Sequence, residues 1–248
     1  MPSYRYPGPR PFEENDINLF FGRDRDIKNL LTFINVEQLT VLFSKSGLGK
    51  SSLINAGIIP ELRKKNYEII LCRFNSYVNK ERDENISVEP QSPLQKLFSE
   101  VTAKFKPEPT FLDKIVLNTE LFSLWHQFKN IQINSREKKT YFIFFDQFEE
   151  LFTYPPEQVK EFKEHLAELL GVSIPQEYLD RINQLESDAS SADLSNEQLG
   201  LLYDQIPVKI LATIRSDKFS LLTNLKDAIP GIVTKTYELK PFNTTEAT

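Results

Sequence analysis

A short turn rich in small residues, Ser44-Lys-Ser-Gly-Leu-Gly-Lys-Ser-Ser52, follows an apolar stretch at 39–43 and contains Gly-Lys-Ser near its end. Backbone N–H groups of such a turn, with the N-terminus of the helix that follows it, form a positively polarised cradle for phosphate groups. In this pattern Lys50 reaches the β- and γ-phosphates of a nucleotide, and the hydroxyl of Ser51 binds Mg²⁺. The turn therefore predicts a nucleotide-binding P-loop. Its predicted phosphate-binding residues are Ser46, Gly47, Leu48, Gly49, Lys50, Ser51 and Ser52.

One position of the turn departs from the usual pattern G-x-x-x-x-G-K-[ST], because Ser44 stands where glycine is expected. A small residue at the end of a strand can keep a negative φ, whereas Gly47 and Gly49 remain where the backbone approaches phosphate closely. The alternative interpretation is an ordinary strand, turn and helix with an exposed lysine. That alternative does not explain why the strand, the glycines, the lysine and the paired serines occur together. Ser44 nevertheless leaves the loop geometry and the turnover open.

A second apolar stretch, 141–145, ends at Asp146. It shows no polar alternation, which is typical of a strand buried on both faces in a parallel sheet. Ligands of open α/β sheets bind at the carboxyl ends of the strands, where Asp146 lies. We therefore expect Asp146 to hold Mg²⁺ together with Ser51, in the manner of a Walker B aspartate. The alternative role of Asp146 is that of a helix N-cap.

The residues after Asp146 bear on catalysis, since hydrolysis needs a group that activates water. Gln147 occupies the position next to the aspartate where many ATPases carry an acid. Glu149 and Glu150 are the possible substitutes, and the sequence does not choose between them. Each glutamate is also explained as a solvated residue in the first turn of a helix, where the helix dipole favours it.

A third apolar stretch, 208–214, ends at Arg215. A guanidinium group at the same edge of the sheet would contact the γ-phosphate, distinguish triphosphate from diphosphate and stabilise developing negative charge. The alternative is a surface ion pair with Asp217. The candidate catalytic residues are therefore Asp146, Glu149, Glu150 and Arg215.

The remaining pattern supplies the elements that position these residues. Apolar stretches predict strands at 39–43, 67–74, 141–145, 208–214 and 232–239. Periodic and capped segments predict helices at 24–35, 50–65, 93–105 and 118–131, and one from Pro155 and Pro156 to Gly171. Gly57 and Pro60 predict a kink in the second helix, and polar composition predicts loops at 76–91 and 187–195. Strands that alternate with helices indicate a three-layer α/β P-loop NTPase fold with a mainly parallel central sheet.

Composition limits the classes of function. The 248 residues are 40% apolar, carry a net charge of −5 and include one cysteine and two histidines. A single cysteine excludes an internal disulfide, and these residues cannot form a Cys/His zinc site. The acidic balance does not indicate nucleic acid as a partner, which disfavours a DNA-associated loader ATPase. No apolar stretch is long enough to span a membrane, and the N-terminus lacks the charged and apolar pattern of a signal peptide. We therefore expect a cytoplasmic protein and no membrane partner.

Four longer segments extend these motifs and resemble the novel STAND NTPases, signal-transduction ATPases with numerous domains, particularly the first of the novel groups. The segments are 6–12 with 19–26, 46–63 with its Asn-Ala-Gly-x-x-Pro extension, Asp146-Gln-Phe-Glu-Glu-Leu-Phe152, and Arg215-Ser-Asp217. The resemblance implies that Phe21, Gly22 and Arg23 line the adenine and ribose side of the nucleotide, and that Arg215 is a sensor arginine. Proteins of this family couple ATP-driven assembly to fused effector or recognition modules, and many are implicated in defence against phage.

The resulting expectation is a slow, Mg²⁺-dependent regulatory ATPase domain that binds ATP and ADP and couples nucleotide state to assembly or signalling. We expect an N-terminal arm at 1–23 and a P-loop core at 24–248 that stops before the family's helical and winged-helix extension. The expected partners are a second copy of the chain, or effector and sensor domains outside it. One alternative is a nucleotide-dependent interaction module that does not hydrolyse. The other is a GTPase, for which the chain offers only the imperfect motif Asn224-Leu-Lys-Asp227.

Overall fold

A sheet of parallel strands in the order β2-β3-β4-β1-β5 forms the centre of the protein. The computed structural model describes residues 10–78, 91–115, 123–135, 137–187 and 194–242. The strands in this part of the chain are β1 (Leu39–Ser44), β2 (Tyr67–Arg73), β3 (Thr140–Asp146), β4 (Val208–Arg215) and β5 (Thr236–Glu238). Strand β4 lies between β1 and β3, so the strand of the P-loop and the strand of Asp146 are not neighbours.

The central strands are buried on both faces, which explains their continuous apolar sequences. In β3, Ile143 and Phe145 join the hydrophobic cluster on one face of the sheet, whereas Phe142 and Phe144 join the cluster on the other face. Side chains of a strand alternate between its two faces, so each cluster takes every second residue. Helices cover both clusters, and the predicted three-layer α/β fold is confirmed.

The helices of the described residues divide between the two faces. They are α1 (Asp24–Val36), α2 (Lys50–Ser52), α3 (Ile59–Lys64), α4 (Pro93–Phe105), α5 (Phe111–Ile115), α6 (Leu124–Asn134), α7 (Pro156–Leu170), α8 (Gln176–Ser187) and α9 (Asn196–Tyr203). Helices α1 and α3 contribute to the cluster of Phe142, and α4, α6 and α7 contribute to the cluster of Phe145. Among the described residues, none of these helices combines the length and the apolar character needed to cross a membrane.

The helix that follows the P-loop changes its hydrogen-bond pattern along its length. It begins as α2, becomes a π-helical turn at Leu53–Ile58 and returns to α-helix in α3. A π-helical turn accommodates the missing N–H of Pro60, so the predicted kink takes this form and the backbone stays helical. A Cβ atom at Gly57, within the turn, would lie only 2.8 Å from Cδ1 of Ile27. Glycine at this position therefore lets α1 pack closely against the P-loop helix.

Other differences from the predicted elements have local causes. The helix predicted at 118–131 corresponds to α6, which begins only at Leu124, after the extended N-cap residue Ser123, whereas residues 116–122 lie outside the described part. The predicted loops at 76–91 and 187–195 also fall largely outside it, and two helices, α8 and α9, flank the second loop. The last strand is shorter than predicted, because Pro230–Val233 forms a 3₁₀ helix and only Thr236–Glu238 pairs with β1. The segment is apolar because it packs in the core, and the apolar sequence does not indicate a strand here.

Residues 10–23 pack on the P-loop helix instead of extending away from it. The backbone N–H of Phe12 donates to Oγ of Ser52 at 3.1 Å. The rings of Phe12 and Phe20 have their centres 5.4 Å apart, and Phe20 packs against the hydrophobic cluster that α1 covers. Residues 1–9 lie outside the described part of the chain, and the arm predicted at 1–23 stays a prediction.

Candidate functional site

The carboxyl ends of neighbouring strands bring the predicted site residues to one edge of the sheet. In the parallel register Ser44 of β1 pairs with Arg215 of β4, and Asp146 of β3 pairs with Arg73 of β2. The P-loop leaves β1 at this edge, and the two candidate glutamates follow β3 there in a 3₁₀ helix, Phe148–Thr153. Elements distant in sequence therefore meet where ligands of open α/β sheets bind.

Two glycines give the P-loop its shape. Gly47 and Gly49 have φ angles of 81° and 87°, which L side chains rarely adopt. A Cβ atom at either position would have no atom within 4 Å, so the backbone conformation, and not close packing, requires glycine here. Gly49 lies directly before α2. The loop thus turns at two glycines and ends at the start of a helix, an arrangement whose backbone N–H groups suit phosphate binding.

Lys50 is half-buried and folds back onto the end of β1. Its Nζ donates to the carbonyl oxygen of Ser44 at 3.2 Å and to the hydroxyl oxygen of the same residue at 3.1 Å. Burial lowers the pKa of Lys50, and the negative charges of Glu149 and Asp146 oppose that effect. The ammonium group therefore lies near carboxylates at the edge of the sheet, where a phosphate would meet it.

Asp146 and Ser51, the predicted metal ligands, are in contact. The hydroxyl oxygen of Ser51 lies 3.3 and 3.5 Å from the two carboxylate oxygens of Asp146. Thr213 of β4 also donates to Oδ1 of Asp146 at 3.0 Å, and it accepts the backbone N–H of Gln147 at 3.2 Å. The helix after β3 has Gln147, not Asp146, as its N-cap, so the N-cap alternative for Asp146 is wrong.

Sequence reasoning did not assign Thr213 to the site. Its signal was a polar residue near the end of an apolar strand, two positions before Arg215. The polar residue could be assigned to the site only once β4 is known to lie beside β3, because that strand order places Thr213 next to Asp146.

The two glutamates after Asp146 have different surroundings. Glu150 accepts a hydrogen bond of 2.6 Å from the hydroxyl of Ser76. Oε2 of Glu149 is buried and has no hydrogen-bond partner among the described residues. Burial raises the pKa of Glu149, while backbone N–H groups and the positive charge of Lys50 oppose the rise. Of the two carboxylates, Glu149 is therefore the one that interacts with Lys50 and keeps an oxygen atom free of protein partners.

Arg215 forms the ion pair that was its alternative role. Its Nε and Nη2 donate to the two carboxylate oxygens of Asp217, at 3.1 and 2.8 Å. The side chain is 45% exposed and lies at the end of β4, beside Ser44 in the register. This ion pair uses two of the five N–H donors of the guanidinium group, and the sensor role of Arg215 stays a prediction.

Arg23 joins three separate parts of the chain. This side chain is 5% exposed, and its Nη1 donates to Oδ2 of Asp26 and to the carbonyl of Lys240, both at 2.8 Å. Nη2 donates to the carbonyl of Leu48 in the P-loop at 3.3 Å. The ring of Phe242 covers the guanidinium group, with Cζ 3.8 Å from the ring centre. Arg23 therefore links the N-terminal segment, the P-loop and the segment after β5.

The two residues before Arg23 form an exposed turn. Gly22 has a φ angle of 83°, which lets the chain reverse without steric strain. The ring of Phe21 is 75% exposed. An aromatic surface next to the P-loop junction matches the predicted adenine side of the site, and this assignment stays a prediction.

Several solved structures are similar to this chain at low sequence identity. The Walker-type ATPase PABY2304 of Pyrococcus abyssi is 17% identical, with a TM-score of 0.48 over 96% of this chain and 58% of that one. The Aeropyrum pernix ORC2 protein, solved in ADPNP–ADP complexes, is 12% identical, with a TM-score of 0.45 over 98% and 52%. A chain of the HORMA:CdnC:Trip13 complex of E. coli MS115-1 is 13% identical, with a TM-score of 0.43 over 96% and 69%. The present chain thus spans less than two thirds of the length of the first two proteins.

The family of the chain follows from a match to a family model. No curated protein matches the chain significantly. The model of the Novel STAND NTPase 1 family matches residues 6–248, a span that contains the P-loop, Asp146 and Arg215. This is the group that the four sequence segments indicated. The chain therefore belongs to the Novel STAND NTPase 1 family.

Proposed function

We propose that this domain binds ATP with Mg²⁺, hydrolyses it slowly and uses the nucleotide state to control assembly or signalling. The observation that carries the proposal is the contact of Ser51 with Asp146 at the strand edge where the half-buried Lys50 lies. A hydroxyl and a carboxylate in contact, near an ammonium group and a loop of N–H groups, suit a Mg²⁺-bound triphosphate. Family membership supports the NTPase class.

Two features support the fit of a nucleotide to these residues. A Cβ atom at Gly47 or Gly49 would have no atom of the described residues within 4 Å, so the loop is not crowded at these two positions. Oε2 of Glu149 is buried without a partner. Such an orphaned group costs about 1–3 kcal/mol, and a water molecule near the γ-phosphate would satisfy it.

In the proposed complex, different residues contact the phosphates and the metal ion. In the proposed complex Lys50 leaves Ser44 and contacts the β- and γ-phosphates. Ser51 and Asp146 would hold Mg²⁺, which when bound neutralises phosphate charge. Thr213 donates to Asp146 and so fixes the orientation of this carboxylate.

The proposed catalytic residues act on water and on charge. Glu149 orients the attacking water and accepts its proton, and the burial that raises its pKa makes it a stronger base. Glu150 is held by Ser76 and supports the position of the loop. Arg215 would exchange Asp217 for the γ-phosphate and report its presence.

Adenine is the proposed base, with the exposed ring of Phe21 as its candidate stacking surface. The GTPase alternative needs an aspartate that accepts hydrogen bonds from guanine. Asp227 of the imperfect motif already pairs with Lys163 of α7 at 2.8 Å, which disfavours that role.

The P-loop assignment is tested by Lys50→Ala. We expect ATP affinity to fall about 100-fold or more, because hydrogen bonds to charged groups each contribute about 1.5–3 kcal/mol. Calorimetric titration with ATP, ADP and GTP, with and without Mg²⁺, measures affinity, base preference and metal dependence together. Lys64→Ala, an exposed lysine of the same helix, is the matched control and should bind ATP normally. Unchanged ATP affinity in Lys50→Ala would contradict the assignment, and tighter binding of GTP than of ATP would favour the GTPase.

A second candidate is a nucleotide-dependent interaction module that does not hydrolyse ATP. Gln147 in place of an acid favours it, and so does the ion pair that holds Arg215 on Asp217. Phosphate release under conditions that saturate the site with ATP and Mg²⁺ separates the two candidates. The proposed partners, a second copy of the chain or effector and sensor modules in defence against phage, rest on family membership.

A further inference from the structure

Ser44 holds the ammonium group of Lys50 at the base of the P-loop. The residue is 1% exposed, and its Oγ accepts from Nζ of Lys50 at 3.1 Å while donating to the carbonyl of Lys45 at 2.9 Å. The backbone carbonyl of Ser44 accepts from the same Nζ at 3.2 Å. Nζ of Lys50 thus makes both contacts with the one residue that replaces the usual glycine.

We propose that the Ser44 hydroxyl is a built-in competitor that holds Lys50 away from the β- and γ-phosphates and so lowers nucleotide affinity. This inference rests on the proposed function, because it concerns the lysine of the same site. Glycine would offer Lys50 only a backbone carbonyl, so the hydroxyl is the additional contact in this chain. Burial in β1 and the hydrogen bond to Lys45 fix the hydroxyl, which prevents it from following Lys50 toward a nucleotide.

Removing the hydroxyl should therefore tighten the binding of ATP and of ADP. We expect Ser44→Ala to raise both affinities about three- to tenfold, the net effect of one hydrogen bond. AMP has no β-phosphate for Lys50 to contact, so its affinity should not change. Calorimetry for ATP and ADP, and ligand-detected NMR for AMP, provide the three values, with circular dichroism as the check on folding.

Two further variants isolate the contact. Ser44→Gly restores the usual pattern and should act in the same direction as Ser44→Ala. Thr40→Val is the matched control, because it removes another buried hydroxyl from β1 that has no hydrogen-bond partner. ATP affinity should be unchanged in Thr40→Val.

The outcomes separate this inference from the function on which it rests. ATP affinity that stays equal or falls in both Ser44 variants overturns the competitor role, and so does an equal gain for AMP. Unchanged ATP affinity in Lys50→Ala removes the proposed function instead, since Lys50 would then contact no phosphate. Tighter binding of ATP and of ADP by the Ser44 variants, with an unchanged affinity for AMP, supports the competitor role.

Discussion

A buried lysine and a half-buried lysine of this protein show different uses of the same ammonium group. Lys129 of α6 is 1% exposed and donates to Oε1 of Gln132 at 3.0 Å, to the carbonyl of Leu201 at 2.9 Å and to the carbonyl of Asp204. These three acceptors match the three N–H groups of an ammonium. Burial lowers the pKa of Lys129 to about 8. Lys129 joins α6 to the carbonyl end of α9, and its contacts lie within the protein.

Lys50 of the P-loop is the opposite case. Its hydrogen bonds go to a single residue, Ser44, and carboxylates near it oppose the effect of burial on its pKa. An ammonium placed between carboxylates with so few fixed acceptors is suited to an anion that brings its own oxygen atoms. The contrast indicates that burial alone does not mark a functional lysine. The set of acceptors around it does.

Carboxylates at the two ends of the sheet repeat this contrast. Glu68, near the start of β2, pairs with Lys104 at 3.1 Å and with Lys139 at 2.8 Å, and hydrogen bonds to these lysines lower its pKa. Glu149, after the carboxyl end of β3, keeps one buried oxygen without a partner, and burial raises its pKa. Glu68 thus has its partners within the protein, whereas Glu149 keeps an oxygen atom that could accept a hydrogen bond from a ligand or water.

The largest expected effect separates the two glutamates of the site. Glu149→Gln should retain ATP binding and lower hydrolysis about 10²- to 10⁴-fold, because the amide cannot accept a proton from water. Glu150→Gln should change the rate little, since an amide oxygen can still accept the hydrogen bond from Ser76. Single-turnover phosphate release, with ATP affinity measured on the same preparations, provides the comparison.

The reverse pattern would break the contrast between the glutamates. Full activity in Glu149→Gln with a loss in Glu150→Gln would make the carboxylate held by Ser76 the base. It would also leave the orphaned oxygen of Glu149 without a catalytic explanation. Inactivity of the unmodified domain, in the presence of its partners, would favour the non-hydrolysing module.

The P-loop and the strand of Asp146 could be predicted because a short segment of the sequence determines each of them. Positive φ angles require glycine at positions 47 and 49, and a strand buried on both faces requires a continuous apolar run. Ser51 and Asp146 then meet because the carboxyl ends of parallel strands lie at one edge of a sheet. Local sequence was sufficient wherever a single strand, turn or helix determined the position of the side chain.

The rest of the site depends on contacts that the sequence does not encode locally. The different surroundings of Glu149 and Glu150 arise after a left-handed turn at Gln147, whose φ of 56° is unusual for a residue other than glycine. The contacts of Thr213 depend on the order of the strands. Arg23 meets the carbonyl of Lys240 across 217 positions of the chain. No periodicity or spacing rule links such partners.

A smaller effect, on the free energy of unfolding, distinguishes Lys129, whose role we expect to be structural, from Lys50, whose role we expect to be functional. Lys129→Met should lower the free energy of unfolding by about 2 kcal/mol, because three acceptors lose their donor and removal of the buried charge offsets only part of that cost. Lys50→Met should change it by about 1 kcal/mol or less, because the lost bonds to Ser44 are offset by relief of a partly buried charge. Urea unfolding without nucleotide measures both. Equal losses in the two variants would show that Lys50 is as structural as Lys129.

The smallest expected effect is a pH-dependent gain in stability from Glu149→Gln. The folded pKa of Glu149 is raised by burial, so the folded state holds its proton to a higher pH than the unfolded state does. Between the unfolded and the folded pKa, stability falls as pH rises, and above both values the full cost of a buried charge remains. Glutamine has no charge to bury. At pH 7.5 we expect the variant to be more stable by about 1 kcal/mol, or about 2–4 °C in Tm.

The direction of the pH dependence distinguishes charge burial from better packing. As pH falls from 8 to about 4.5, toward the unfolded pKa, Glu149 becomes protonated in the wild-type protein and the advantage of Glu149→Gln should shrink. Calorimetric Tm values without nucleotide record this difference. A gain that is constant with pH would mean that the amide packs better than the acid. A loss of stability at pH 7.5 would mean that the carboxylate has a favourable partner, and Glu149 would then belong with Glu68 and Lys129 among the charges neutralised within the protein.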